Sequence, residues 1–314
     1  MTIPNTSRTP AVWNDDDLEE HAQKALEEFV DRRLSEPRER YTVHIAQHRA
    51  AIERLFHQLA DIDPKNPDPA TVRAILLDDD LLRALRYVTG PPTSEDDLGV
   101  LVMRSASRLT KTRLKESDEL PVSVLQLICQ LADPVRFPWV GSGRPPQPHE
   151  IKLAIRATTA LHASQSLQTE RRSYGKEVER QFENHLIAQG FTKARSPARG
   201  IVSAPKHYPG AKSFYGECTV YGRKVDLLLA LEDGRVVAVE AKDSSSVTNS
   251  VKRVMNDTAA KAKHWHSKAG EQIIPVALLS GVFGLENLKD AQRSGLYLVW
   301  THDLGSFTDW LATQ

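Results

Sequence analysis

Residues 225–243 read VDLLLALEDGRVVAVEAKD. Two apolar runs, LLLAL (227–231) and VVAV (236–239), flank Glu232-Asp233-Gly234, a strong short-range hairpin signal. Both strands are apolar enough to lie in a sheet covered on both faces. Three charged side chains stand where such strands should be greasy: Asp226 in the first, Glu240 and Lys242 in the second. A charge enters a buried strand only when it is paired or bound to something. Positions 240 and 242 are two apart and therefore share a strand face, and Asp226 can meet them from the neighbouring strand. Two carboxylates and one ammonium thus converge on a small patch beside the Ala241 carbonyl.

That set suits one chemistry well. Two carboxylates, a main-chain carbonyl and waters form the hard, oxygen-rich environment that Mg²⁺ requires. Such an ion acidifies a bound water, polarises a phosphoryl oxygen and neutralises charge on the leaving oxygen. Asp226, Glu240 and Ala241 are the candidate metal ligands, and Lys242 is the candidate partner of the attacking water. The implied reaction is phosphodiester hydrolysis. The competing reading is a surface hairpin whose Glu240 and Lys242 form a solvated edge. A lone Glu-x-Lys is common, but the apolar runs and the Asp at hairpin distance favour a site.

The flanking segments have the same character. A polar loop, DSSSVTN (243–249), precedes a helix expected over 251–268, capped by Asn249 or Ser250 and rich in Lys and Arg. IIPVALLSGVFG (273–284) reads as another buried strand, followed by a short helix over 285–293, the strand LYLVW (296–300) and a terminal amphipathic stretch to Leu311. Upstream, 174–190 has apolar residues at helical spacing and closes on Gly190.

This arrangement resembles the PD-(D/E)xK nuclease fold, with Asp226, Glu240 and Lys242 at the motif positions and Val225 where that motif has Pro. More narrowly, the chain resembles the XamI-type, SalI-like type II restriction endonucleases. The features that carry this are Trp13-Asn14-Asp15-Asp16, Gly90-Pro91-Pro92, Glu240-Ala241-Lys242, Thr248-Asn249 and Lys252-Arg253. The resemblance implies an α/β (α+β) fold with a restriction-endonuclease-like core and an N-terminal all-helical domain. It also implies double-stranded DNA as substrate, a short palindromic target with 5′ overhangs, and a partner DNA methyltransferase. A further acidic residue from the helix before the sheet is expected, Glu179 first and Glu183 second. Within the nucleases the rival is a methyl-directed or structure-directed enzyme on the same core. From another class, the rival is a non-catalytic DNA-binding protein, which has no need for a buried Asp, Glu and Lys together.

Composition agrees. The 314 residues are about two average domains. No apolar run approaches the ~20 residues of a membrane span, and MTIPNTSRTPAVWNDDD lacks a signal-peptide core, so a cytoplasmic protein is expected. Cys129 and Cys218 have no ligand-pair spacing and read as small buried hydrophobes. The zero net charge hides an asymmetry. Residues 1–150 carry 19 Lys and Arg against 25 Asp and Glu, whereas 151–314 carry 22 against 16, so the half with the candidate metal site is the basic one. No acid occurs over 184–216, where Lys193, Arg195, Arg199, Lys206 and Lys212 lie among prolines and glycines. Most of that interval reads as a long basic loop entering the sheet and contacting DNA. Asn249, Lys252 and Arg253 join it as candidate DNA contacts. The other reading is a solvated surface loop.

The first half reads as helices over 15–34, 41–59, 70–88 and 121–131, with one more over 149–168. We divide the chain into a helical domain over 1–168, expected to make dimer and DNA contacts, and a nuclease domain over 169–314. Arg104, Arg108, Lys111, Arg113 and Lys115 form a basic run in the acidic half, either phosphate-facing or a solvated helix face. His44 and His48 have zinc-pair spacing but lack the intervening Glu of a zinc protease, so they read as core or surface histidines. One catalytic trio per chain implies a homodimer for a double-strand break. Base readout depends on a few side chains in a groove, so the target sequence cannot be read from the chain.

Overall fold

The computed structural model describes residues 8–60, 62, 66–250 and 257–314. The chain divides into two compact units, one of residues 35–170 and one formed by 1–34 together with 171–314.

Helix α1 (Asp15–Glu39) starts behind Asn14, whose side chain accepts the Asp17 amide at 2.9 Å, with three aspartates in the first turn against the positive end of the helix dipole. Helix α2 is Tyr41–Ala60. The single helix expected over 70–88 is two, α3 (Pro69–Leu77) and α4 (Asp79–Arg86). Asp78 takes extended backbone between them, and its carboxylate accepts the amides of Asp80 and Leu81 at 3.0 and 3.1 Å, capping a new helix instead of continuing the old one. Helices α5 (Glu95–Met103), α6 (Lys111–Glu116) and α7 (Glu119–Gln130) follow; periodicity shows only the last of them. Unit 35–170 is built round Ile52, Leu55, Ile75, Leu76, Leu85 and Phe137. His44 and His48 belong to an aromatic stack there. His48 and His162 lie 3.5 Å apart between ring centroids, and burial pushes their imidazoles down to about 4 and about 3.

Helix α8 (Pro148–Ala188) runs 41 residues and unites the two helices expected over 149–168 and 174–190. The sheet follows: β1 (Thr192–Lys193), β2 (Ile201–Val202), β3 (Ser213–Tyr215), β4 (Cys218–Val220), β5 (Arg223–Val225), β6 (Leu227–Ala230) and β7 (Val236–Ser244). After them come α9 (Val247–Ser250), α10 (Ala260–Ala269), β8 (Ile273–Gly281), α11 (Leu285–Arg293), β9 (Tyr297–Trp300) and α12 (Leu304–Leu311). Among the described residues the strands form a six-stranded mixed sheet, β1-β3-β6-β7-β8-β9, and a three-stranded one, β2-β4-β5. The hairpin read at 232–234 joins antiparallel β6 and β7, whose register sets Leu227 opposite Val239. β7 then runs parallel to β8 over nine residues, deep in the sheet.

Alternation along these strands decides what each face meets. Leu227, Leu229, Val237 and Val239 pack with Val178, Phe182 and Leu186 of α8 and with Phe307 and Trp310 of α12. Leu228, Ala230, Val236 and Ala238 pack on the other face with Trp265 of α10 and with Val220 and Val225 of the small sheet. Leu18 and Ala25 of α1 join Leu279, Leu288 and Trp300, also in this unit. The Trp13 indole donates to the Leu298 carbonyl at 2.8 Å. Residues 13–25 thus help cover the sheet although their sequence reads like the rest of the helical half. The basic interval after α8 is more than a loop. Ile201 and Val202 pair with Thr219 and Val220, which satisfies backbone groups that a buried loop would leave bare. Cys218 is buried, but Cys129 is exposed, contrary to its reading as a core residue.

Candidate active site

Even-numbered residues of β7 face α10. Glu240 therefore follows Val236 and Ala238 onto that face, at 1 % exposure, with Lys242 next along it. The Lys242 ammonium donates to Glu240 Oε2 at 2.7 Å, as the two-residue spacing predicts. Asp226 sits between β5 and β6, with its amide on the Val239 carbonyl at 3.2 Å. Its Oδ2 accepts the amide of Ala241 at 2.8 Å, taking up a β7 donor just beyond the end of the β6–β7 ladder. The trio read from sequence is thus gathered where β6 begins, beside the second half of β7.

The sequence did not reveal a second ammonium. Lys261 of α10 donates to the other oxygen of Glu240, Oε1, at 2.8 Å. Asp257 lies 3.4 Å from Lys242 and 3.7 Å from Lys261. One signal for this was available: Lys261 and Trp265 are four apart on a helix, and a tryptophan buried by the sheet turns that whole stripe inward. Helix α10 is pinned by Trp265, whose indole donates to the Val220 carbonyl at 2.9 Å, and by the His264 ring 2.8 Å from the Tyr221 carbonyl.

Electrostatics mark the same place. Burial and the nearby Glu240 raise the pKa of Asp226 above the usual carboxylate range. Burial alone would lower Lys242, but the charge and hydrogen bond of Glu240 outweigh it and hold the ammonium protonated. Burial, then the charge of Asp226, pushes Glu179 up to about 7. Glu179 has no hydrogen-bond or ion-pair partner among the described residues, whereas Glu183 is held by Lys193 at 2.6 Å. Of the two helix glutamates, Glu179 is the one left to interact with Asp226.

The donor set of Asp226, Glu240, Glu179 and the Ala241 carbonyl is all oxygen, and its carboxylates disfavour one another's charge, which a hard divalent cation would relieve. Among the described residues, no three His, Cys, Asp or Glu side chains are arranged to hold a metal ion as they stand. The oxygens of Glu240 are each held by an ammonium instead. The all-oxygen donor chemistry is of the kind that fits Mg²⁺.

The candidate DNA contacts divide. Lys193 and Lys212 are taken up by Glu183 and Glu232. Arg195, Arg199 and Lys206 have no acidic partner among the described residues, and Arg199 stands at φ 62° in the turn before β2. Asn249 falls in α9, and Lys252 and Arg253 lie outside the described residues. No helix among the described residues is long and apolar enough to cross a membrane.

A family model described as XamI restriction endonuclease matches residues 65–300. The type II restriction enzyme XamI of Xanthomonas campestris pv. amaranthicola is 36 % identical over 269 residues, covering 85 % of this chain and 95 % of that protein. No solved structure matches the chain.

Proposed function

The chain belongs to the XamI restriction endonuclease family, and from that premise we infer an endodeoxyribonuclease of the type II restriction class. It hydrolyses phosphodiester bonds of double-stranded DNA at a short palindromic site and depends on Mg²⁺. The observation that carries this reading is the second half of β7, where buried Glu240 and half-buried Lys242 stand 2.7 Å apart and Asp226 accepts the amide between them. A helix before a mixed sheet and a basic helix after the charged strand support a PD-(D/E)xK core.

Asp226 and Glu240 hold the metal, with the Ala241 carbonyl as a further ligand and Glu179 completing the acidic set. When bound, Mg²⁺ supplies charge neutralisation at the scissile phosphate and acidification of a water. Lys242, kept protonated by Glu240, orients the attacking water by hydrogen bonding and stabilises negative charge developing on its oxygen. A protonated ammonium has no lone pair, so it is not the base for this step. Arg195, Arg199 and Lys206, with Lys193, Lys212, Asn249, Lys252 and Arg253, hold the DNA backbone. The helical first half of the chain contributes the dimer contact, and a DNA methyltransferase protects the same sites in the cytoplasm.

Incubation of unmethylated plasmid with Mg²⁺ should give discrete fragments, and chelation should abolish them. Run-off sequencing of the ends should return one staggered cut in one palindrome. Intact unmethylated DNA alongside cut methylated DNA would move the enzyme to the methyl-directed class, and no cleavage of either would overturn the reading.

A further inference from the structure

Glu240 carries two ammonium partners where the motif supplies one. Its side chain is 2 % exposed and that of Lys261 16 %, so their 2.8 Å contact is made out of bulk water, where an ion pair is felt far more than at a surface. Lys242, Lys261, Glu240 and Asp257 form a locally balanced quartet of two positive and two negative charges. A divalent ion ligated by Glu240 would compete for a carboxylate oxygen that an ammonium already holds. One of the two ammonium groups has to leave.

The two lysines are not equally free to do so. Lys242 is on the same strand as Glu240, two residues on, so the backbone holds them together whatever else binds. Lys261 comes from a different element, 21 residues away, on a helix preceded by π-helical residues 257–259. Such bulges mark places where helix geometry is relaxed, often at functional sites. Trp265 fixes the helix one turn further on, so the four-carbon stem of Lys261 can swing while the helix stays.

Resting on the functional reading above, we propose that Lys261 is a positioning residue that occupies Glu240 in the metal-free enzyme and is displaced when metal and DNA bind. The freed ammonium then pairs with a DNA phosphate. It both keeps the buried carboxylate compensated before the metal arrives and couples metal loading to a grip on the strand.

The test uses the full chain with Lys261→Gln and, as a second replacement that suits partial burial, Lys261→Met. Mg²⁺ affinity without DNA is measured by isothermal titration calorimetry. Removing the competing charge should tighten it at least about tenfold, a gain that a merely structural role for Lys261 would not produce. In Ca²⁺, the salt dependence of DNA binding should flatten by about one unit of slope relative to wild type, with no such difference in chelator. Unchanged or weaker Mg²⁺ affinity in a folded variant, or an equal slope in Ca²⁺, would overturn the inference. Wild-type plasmid cleavage run alongside separates the two ideas. A wild type that cuts while neither variant gains Mg²⁺ affinity removes only the role of Lys261. A wild type that cuts no DNA removes the functional reading and this inference with it.

Discussion

At the scale of single residues, the site reads as charges in places where apolar strands should have none. Asp226, Glu240 and Lys242 were legible for that reason: each breaks an apolar run, and strand periodicity says which face it takes. Lys261 was not, because a lysine in a basic helix looks like its neighbours until the sheet shows which turn faces inward. Replacement of Lys242 by Ala should abolish cleavage and leave specific DNA binding largely intact, if the group serves the water rather than the register as proposed. Cleavage by that variant at near the wild-type rate would sink the assignment. Glu179 allows a test with a different readout. Its folded-state pKa lies above the unfolded value, so ionisation opposes folding as pH rises from about 4.5 through about 7. Glu179→Gln should therefore lower activity yet raise the melting temperature of the metal-free protein at pH 8. Discounted for its partial exposure, the gain is on the order of 1 kcal/mol, or roughly 2–4 °C. It should vanish near pH 4, where both states are protonated. A gain equally large at pH 4 would mean that packing, not charge, is the cause.

Secondary structure elements were legible where local signals agree and illegible where a tertiary partner decides. The β6–β7 hairpin and α11 follow their sequence signals closely. The break between α3 and α4 rests on one side chain: Asp78 could continue a helix or cap one, and apolar periodicity carries no information about that choice. The 193–212 segment was legible as basic and turn-rich, but not as a contributor to a second sheet, because two-residue strands have no period to detect. Its ion pairs now rank its cations. Neutralising Arg195, Arg199 and Lys206 together should flatten the salt dependence of DNA binding by up to roughly three units of slope, one for each phosphate that loses its cation. Neutralising Lys193 and Lys212 should change it less, since DNA must first draw them from Glu183 and Glu232. Equal slopes for the two sets of variants would mean that the intramolecular pairs do not compete with phosphate.

For the whole molecule, charge asymmetry and hydrophobic pattern were enough to divide a helical part from a sheet part. They could not show that residues 1–34 belong with the sheet. That assignment depends on contacts such as Trp13 with Leu298, 285 residues apart, which no local window contains. The assembly state follows from a different argument. Each chain carries one Asp226–Glu240–Lys242 site, yet a double-strand break requires hydrolysis of two strands of opposite polarity. A two-fold dimer offers two equivalent sites related as the halves of a palindrome are related, so protein symmetry matches DNA symmetry. The acidic half of the chain is poorly suited to lie wholly on phosphate and is the better source of the dimer contact. Sedimentation of the protein on a duplex containing its target, with Ca²⁺ in place of Mg²⁺, should give two chains per duplex. In a cleavage time course, linear plasmid should then appear without a long-lived nicked intermediate. One chain per duplex together with accumulation of nicked circles would refute the dimer and make the enzyme a nickase, while leaving the chemistry assigned to the trio untouched.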